Sequence, residues 1–75
     1  MPIVLGPVVR KEGGYGFDTW VATEGLSRGF CYRRLEDAYY ARKVRIGENV
    51  QNGAESVACH TMDEFLAETA RRASV

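Results

Sequence analysis

The sequence predicts an α+β fold: a three-stranded antiparallel sheet packed by a helix, then a short fourth strand and a C-terminal helix, in the order βββαβα. Three observations indicate it. β-branched and aromatic runs separated by glycine-rich turns come first, an alanine- and tyrosine-rich stretch follows, and a helix-capping motif stands near the end. A chain of 75 residues with 45% hydrophobic and 27% charged residues is expected to form one domain, residues 1–75.

Three strands are predicted before the first helix. Residues 3–10, IVLGPVVR, are β-branched and kinked at a Gly-Pro pair, because proline cannot donate to a ladder and lies at an edge or a bulge. Residues 15–23, YGFDTWVAT, alternate so that Trp20 and Asp18 share an outer face, opposite the face predicted to lie on the core. A turn at EGLSRG leads into residues 30–34, FCYRR, as the third strand.

The first helix is predicted over residues 35–47, LEDAYYARKVRIG. Its first turn is acidic and its last turn is basic, which suits the helix dipole, and Gly47 is placed as the C-terminal stop. The side predicted to face the sheet carries Ala38, Ala41 and Val44 at three-residue steps, with Leu35 and Tyr40 beside them.

The rest of the chain is predicted as a loop, a strand and a helix. The loop holds an Asn52-Gly53 turn typical of a hairpin tip, and residues 56–60 form the fourth strand. In TMDE, Thr61 caps the second helix and Glu64 reaches back to the Thr61 amide, which is a capping box. This helix runs from Met62 to Ala73, with an apolar stripe of Met62, Phe65, Leu66, Thr69 and Ala73.

Composition and charge limit the expected location and partners. The apolar N-terminus has no basic leader and is too short for a secretory signal or a membrane span, so we expect a complete cytoplasmic gene product beginning at Met1, with no membrane partner. Residues 1–45 contain eight Lys/Arg and five Asp/Glu, a net charge of +3. Residues 46–75 contain two Lys/Arg and five Asp/Glu, a net charge of −3. A strong nucleic-acid binder usually has a larger basic excess.

No constellation in the sequence indicates an enzyme, a cofactor or a metal. Cys59 and His60 are neighbours on a predicted strand and point to opposite faces, so they do not form a nucleophile and its base. Together with Cys31 they lack a fourth ligand and the usual paired spacing of a metal site. Both cysteines are expected as reduced, buried thiols, and the alternative is a Cys31–Cys59 bridge between neighbouring strands.

Aromatic residues beside cations are the feature that indicates a binding surface. Trp20 on the outer sheet face and one of the adjacent Tyr39 and Tyr40 are expected to be exposed. Aromatic residues and arginine are typical anchors of protein interfaces, and they also stack on nucleic acid; the alternative is that these rings cover the rim of the core. The candidate binding residues are Trp20, Arg33, Arg34, Tyr39, Arg42 and Lys43.

The tryptophan strand followed by FCYRRLEDAYYARKV resembles the DNA-binding domains of the plant AP2 type and the arm-binding domains of tyrosine integrases, over about residues 7–45. This resemblance implies DNA recognition by a sheet rich in arginine and tryptophan, with Trp20 and either Arg10 or Arg33 in that role. Asp18 beside the tryptophan and the acidic tail depart from the pattern. The stretch GFCYRRLEDA is also similar to antitoxins of the HicB type, whose small strand-and-helix domain neutralises a toxin protein.

Small size, missing catalytic groups and an aromatic–arginine surface favour a non-catalytic regulator or inhibitor whose partner is a protein. It would act by surface occlusion, as antitoxins and phage anti-defence proteins such as anti-CRISPR proteins do. The alternative is a DNA-binding domain of the AP2 or integrase-arm type. An unpaired strand edge would also allow a homodimer.

Overall fold

The computed structural model describes residues 2–29 and 31–73, and it confirms the predicted α+β class. The described residues form a strand-rich N-terminal part, a long helix, one further strand and a C-terminal helix, which is the broad order that the sequence predicts. The elements are β1 (Pro2–Leu5), β2 (Val9–Lys11), β3 (Gly14–Gly16), β4 (Asp18–Val21), β5 (Gly25–Arg28), α1 (Leu35–Gln51), β6 (Glu55–Ala58) and α2 (Met62–Ala73).

Four of the strands form one mixed sheet in the order β5-β4-β1-β6. β4 pairs antiparallel with β1 and with β5, whereas β6 pairs parallel with β1. β2 and β3 form a separate antiparallel hairpin. The sheet therefore differs in detail from three antiparallel strands, because α1 carries the chain back across the sheet and brings β6 alongside β1 in the same direction.

The first predicted strand is divided at Gly6 and Pro7, between β1 and β2. The Gly6 N–H donates to the Asp18 carbonyl over 2.8 Å, so the backbone of the break lies directly against β4. A Cβ at Gly6 would lie 3.3 Å from that carbonyl oxygen and 3.3 Å from the Phe65 ring. The kink is therefore a point of close packing, for which glycine has the least bulk.

The predicted turn at residues 24–29 is instead mostly the strand β5. Its first residue, Gly25, has a φ of +74°, and this left-handed conformation closes the turn soon after β4 ends. β5 contains one apolar residue, Leu26, and so it lacks the alternation that predicts a strand. The second predicted strand is divided at Phe17, which separates β3 from β4.

The predicted third strand over residues 30–34 is wrong. Phe30 lies outside the described residues, and the residues that follow form a single antiparallel bridge between Tyr32 and Tyr15. The Tyr15 N–H donates to the Tyr32 carbonyl over 2.7 Å, and the Tyr32 N–H donates back over 2.8 Å. A Cβ at Gly14 would overlap the Tyr32 carbonyl, so this approach of the two backbones requires glycine.

Helix α1 is longer than predicted and passes through Gly47. A glycine inside a helix costs only about 1 kcal/mol, which hydrogen bonding and packing on both sides outweigh. The helix ends at Asn52-Gly53, where Gly53 has a φ of +78°, so this pair is a helix terminus and not a hairpin tip. Arg42 and Lys43 consequently lie in the middle of the helix and not in its last turn.

Helix α2 has the predicted bounds and the predicted N-cap. The Glu64 N–H donates to Thr61 Oγ1 over 3.1 Å. The Glu64 carboxylate accepts a hydrogen bond of 3.1 Å from the His60 N–H. The sequence predicts the Thr61 N–H as the donor, so the observed donor lies one residue earlier. Neither helix in the described ranges has both the length and the apolar character that a bilayer crossing requires.

The two helices cover opposite faces of the sheet. Successive residues of β6 point to opposite faces. Ser56 accepts a hydrogen bond of 3.2 Å from the Asn49 amide of α1, whereas Val57 packs on the buried cluster that contains Phe65 of α2. α1 also packs against β3, and α2 packs against β1.

The core centres on Val4, Trp20, Cys59 and Phe65. Val4 pairs with Trp20 in the β1–β4 ladder, and both side chains face α2. Trp20 is only 8% exposed, so the expectation that it lies in solvent is wrong. The reason is that α2 covers the sheet face that a three-stranded sheet with one helix would have left bare. Burial of such a side chain stabilises the fold by about 2–3 kcal/mol.

Candidate functional site

Exposed apolar side chains are concentrated on α1. Among the described residues, seven large apolar side chains are exposed, and five of these belong to this helix. We call this surface the α1 outer face and define it by Leu35, Tyr39, Tyr40, Val44 and Val50. Single exposed apolar residues are ordinary, whereas five on one helix make that helix the candidate interaction surface.

The rotation of α1 about its axis is set mainly by residues other than those predicted. Ala38 and Asn49 are buried against the sheet side, and Arg42 lies between them at helical spacing. Val44 was expected to face the sheet, but it is exposed, as is Tyr40 at 70%. The small Ala38 and the polar Arg42 and Asn49 therefore face the sheet, and the large apolar residues of the helix are left towards solvent.

Arg42 points inward and serves the fold. Its Nε donates to the Gly6 carbonyl over 2.8 Å, and its Nη2 donates to the Cys59 carbonyl over 2.8 Å. These carbonyls follow the ends of the parallel strands β1 and β6, where the ladder ceases to supply donors. The expectation that Arg42 is an available surface cation is therefore wrong, because its guanidinium bridges α1 to the sheet.

Tyr39, Tyr40 and Lys43 form the centre of the α1 outer face. Lys43 stands three residues after Tyr40 and four after Tyr39, so the three side chains are neighbours on the helix surface. All three are exposed. Of the predicted candidates, the structure thus brings Tyr39 and Lys43 together, and it adds Tyr40.

Arg33 and Arg34 are exposed at the entry of α1. Arg34 is the N-cap residue of the helix, and its Nη1 lies 3.6 Å from Glu36 Oε1. An ion pair this exposed contributes about 0–1 kcal/mol, so it holds the arginine only weakly. Arg33 and Arg34 precede Tyr39 by six and five residues, at the N-terminal end of the α1 outer face.

A second surface lies between α2 and the strands β4 and β5. We call it the α2 groove. It has a volume of about 510 Å³. It is lined by Asp18, Trp20, Leu26, Met62, Phe65, Leu66, Thr69, Ala70 and Ala73. Trp20, one of the six predicted binding residues, thus contributes to the wall of a groove and not to an open sheet face.

The cysteines do not form a reactive pair. Both are free thiols, Cys59 in the core and Cys31 exposed, so the expectation that both are buried holds for Cys59 alone. Burial raises the pKa of the Cys59 thiol, and the nearby Glu64 and Glu68 carboxylates raise it further. This thiol is therefore protonated near neutral pH and is a poor nucleophile. The described residues contain no cluster of three or more His, Cys, Asp or Glu side chains able to hold a metal ion.

Two groups of ion pairs lie on the surface of the described residues. Lys11 Nζ lies 2.6 Å from Asp18 Oδ1 and joins the β2–β3 hairpin to β4. Glu68 accepts from Arg71 over 2.6 Å and from Arg72 over 3.3 Å along α2. The hydrogen bond from Arg71 is the main reason that the pKa of Glu68 is lowered.

The sequence did not single out most of the exposed apolar residues as site residues. Their exposure depends on the rotation of α1 and on the position of α2, and neither is encoded in a local pattern. Comparison with models of protein families, with curated proteins and with solved structures finds no match to this chain. The geometry of the two surfaces is therefore the basis on which function is proposed.

Proposed function

We propose that this chain is a small non-catalytic regulator or inhibitor that binds another protein through the α1 outer face and acts by covering part of that protein's surface. Antitoxins and phage anti-defence proteins such as anti-CRISPR proteins work in this manner. The observation that carries the proposal is the concentration of exposed tyrosine, leucine and valine side chains on one helix.

The dimensions of the surface suit a protein partner. A helix of 17 residues is about 26 Å long. With its flanks, such a helix can supply a large part of the roughly 800 Å² that one partner contributes to an ordinary interface. Tyrosine is enriched among the residues that dominate binding energy, because its ring is large and loses little rotamer freedom.

The charges around this surface also favour a protein over DNA. The formal net charge of the chain is zero, which gives little general attraction for a polyanion. Arg42 is engaged with backbone carbonyls, and Trp20 is buried under α2. A DNA-binding domain remains the second candidate, and it would depend on the exposed Arg33, Arg34 and Lys43.

The test compares variants of the α1 outer face with a matched variant elsewhere. Tagged parent protein, the double variant Tyr39→Ala/Tyr40→Ala, and Glu55→Ala, an exposed residue of β6 outside both surfaces, would capture proteins from a host lysate. We expect a partner that the parent and Glu55→Ala retain and that the double variant loses. Affinity for the purified partner should fall by about 2 kcal/mol or more in the double variant.

The DNA alternative is tested in the same series. Binding to a labelled duplex would be measured at 50 and 200 mM salt, with the parent and with Arg33→Ala/Lys43→Ala. Duplex binding that weakens steeply with salt, with a slope reduced in this variant, would establish DNA as the partner. If in addition the double tyrosine variant captured the same proteins as the parent, the protein-binding proposal would be refuted.

A further inference from the structure

We infer that Asn52 is a site of spontaneous covalent modification: its side-chain amide is lost by deamidation at the Asn52-Gly53 bond, at a rate set by the opening of the last turn of α1. The chain contains two asparagines, Asn49 and Asn52. They stand three residues apart at the end of the same helix, and the structure gives them opposite environments. This inference does not depend on the partner proposed for the α1 outer face.

The reaction joins the side chain of asparagine to the backbone of the next residue. The Gly53 nitrogen attacks Cγ of Asn52, a new N–Cγ bond forms, and the side-chain nitrogen leaves as ammonia with the proton of the Gly53 N–H. Water then opens the cyclic imide at either of its carbonyl carbons, which gives aspartate or isoaspartate. Water is the only other reactant, and nothing is oxidised or reduced. Glycine after asparagine favours the attack, because it has no side chain to obstruct the approach.

Asn52 is accessible to this chemistry. Asn52 and Gly53 are both exposed, so water and base reach the reacting atoms. A Cβ at Gly53 would have no neighbour within 4 Å, so the imide ring has free space around it. Asn52 is also the C-cap of α1, and the end of a helix opens more readily than its middle.

In the closed helix end the two reacting atoms are kept apart. Asn52 has a ψ of 7°, which turns the Gly53 nitrogen towards the Asn52 nitrogen and away from the Asn52 Cβ. The Gly53 N–H donates to the Val50 carbonyl over 3.1 Å, and the Asn52 N–H donates to the Glu48 carbonyl over 3.0 Å. Rotation about the Cα–C bond of Asn52 breaks the first of these bonds. The reaction therefore requires the last turn to open, and such fraying is the least costly kind of local unfolding.

Asn49 is protected from the same reaction. It is only 6% exposed. Its Nδ2 donates to Ser56 Oγ over 3.2 Å, and its carbonyl accepts from the Ala54 N–H over 2.8 Å. The residue after it is Val50, whose β-branched side chain obstructs attack by the Val50 nitrogen. These contacts also tie the turn after α1 to β6, so the opening is confined to the residues between Asn49 and Ala54.

Deamidation changes both the charge and the backbone at the end of α1. Either product carries a carboxylate at the C-terminus of the helix, where the negative end of the helix dipole and Glu48, one turn earlier, disfavour it. Isoaspartate also adds one carbon to the backbone between α1 and β6. We therefore expect a less stable last turn, next to the exposed Val50 of the α1 outer face.

The test follows both asparagines by peptide mass spectrometry while the intact protein is incubated in mildly alkaline buffer. Parallel samples contain the folded protein, the protein unfolded in guanidinium chloride, and the folded variant Asn52→Gln. We expect the folded protein to convert at Asn52 about tenfold more slowly than the unfolded protein, which corresponds to an opening free energy of about 1.4 kcal/mol. Asn49 should stay intact in the folded protein. Asn52→Gln should not convert at this position, because its longer side chain closes a less favourable ring.

A remote variant separates opening of the last turn from unfolding of the whole chain. Thr61→Ala removes the cap of α2 and leaves the end of α1 unchanged. Conversion of Asn52 at the parent rate in this variant supports local opening. Conversion that accelerates in proportion to the lost stability would show that the reaction occurs in the unfolded chain, and the inference would then be wrong.

Three other results would overturn the inference: an unchanged Asn52 in the folded protein while the unfolded protein converts, equal rates in the two states, or conversion of Asn49 as fast as that of Asn52. The effect on stability is measured with Asn52→Asp, which reproduces one product. It should melt at a lower temperature than Asn52→Gln, and equal melting temperatures would refute the expected weakening of the last turn.

Discussion

Replacing Arg42 with methionine should destabilise the protein more than any other change to a charged side chain described here. Arg42 donates to the carbonyls of Gly6 and Cys59, each over 2.8 Å, from a partly buried position. Methionine keeps the aliphatic packing of the side chain and removes both donors, which leaves the carbonyls to water or without a partner.

The magnitude follows from the two hydrogen bonds. Bonds to a charged donor contribute about 1.5–3 kcal/mol each, and partial access of water places this site at the lower end. We therefore expect a loss of about 2–4 kcal/mol in the free energy of unfolding. A domain of this length has a total of about 4–11 kcal/mol, so the variant would lose a large fraction of its stability.

The assay is urea unfolding followed by the fluorescence of Trp20, the only tryptophan of the chain. Lys43→Met is the matched control, because Lys43 is the next residue and is exposed; its effect should stay within about 0.5 kcal/mol. Arg42→Lys should be intermediate, since one ammonium cannot reproduce the planar fork of the guanidinium. A value for Arg42→Met within about 0.5 kcal/mol of the parent would refute this account of how α1 is held to the sheet.

Three further predictions concern local features. Gly47→Ala adds a methyl group inside α1 where nothing lies within 4 Å, so the free energy of unfolding should rise by about 0.5–1 kcal/mol, measured by thermal unfolding. Gly14→Ala should lower the melting temperature, because its Cβ would overlap the carbonyl of Tyr32. Thr61→Ala removes the N-cap of α2 and should cost about 1 kcal/mol by urea unfolding; no change would contradict the capping box. Because the folded-state pKa of Cys59 lies above its ordinary value of 9.0, its stability contribution is present below pH 9 and declines as pH rises through the folded pKa. Alkaline unfolding should show this decline in the parent and not in Cys59→Ala, and iodoacetamide at neutral pH should modify the folded chain once, at the exposed Cys31.

The elements that the sequence predicted best are those controlled by neighbouring residues. α2 has its predicted ends because its cap, Thr61 and Glu64, and its apolar stripe all lie within a few turns. The strand break at Gly6-Pro7 is equally local, since proline lacks the donor that a ladder needs. The strand at residues 25–28 was missed because it carries one apolar residue, and its pairing with β4 comes from a turn that Gly25 closes.

The candidate site was less predictable than the fold. The sequence identified Tyr39 and Lys43 on an exposed helical surface, since adjacent helix positions cannot both face the core. It placed Trp20 and Arg42 on the surface as well, and the structure buries the first and turns the second inward. The residues next to Trp20 and Arg42 in the sequence do not indicate which distant part of the chain packs against each side chain.

By itself, therefore, the amino-acid order determined the secondary-structure class, the entry of α2 and the strand break at Gly6-Pro7, because these depend on backbone conformation and on contacts within one turn. The tertiary structure alone decided which side of α1 faces solvent and which face of the sheet α2 covers. Those choices rest on hydrogen bonds and packing between residues far apart in the chain, such as Arg42 with Gly6 and Val4 with Phe65. The proposed binding surface on α1 is a consequence of that long-range packing.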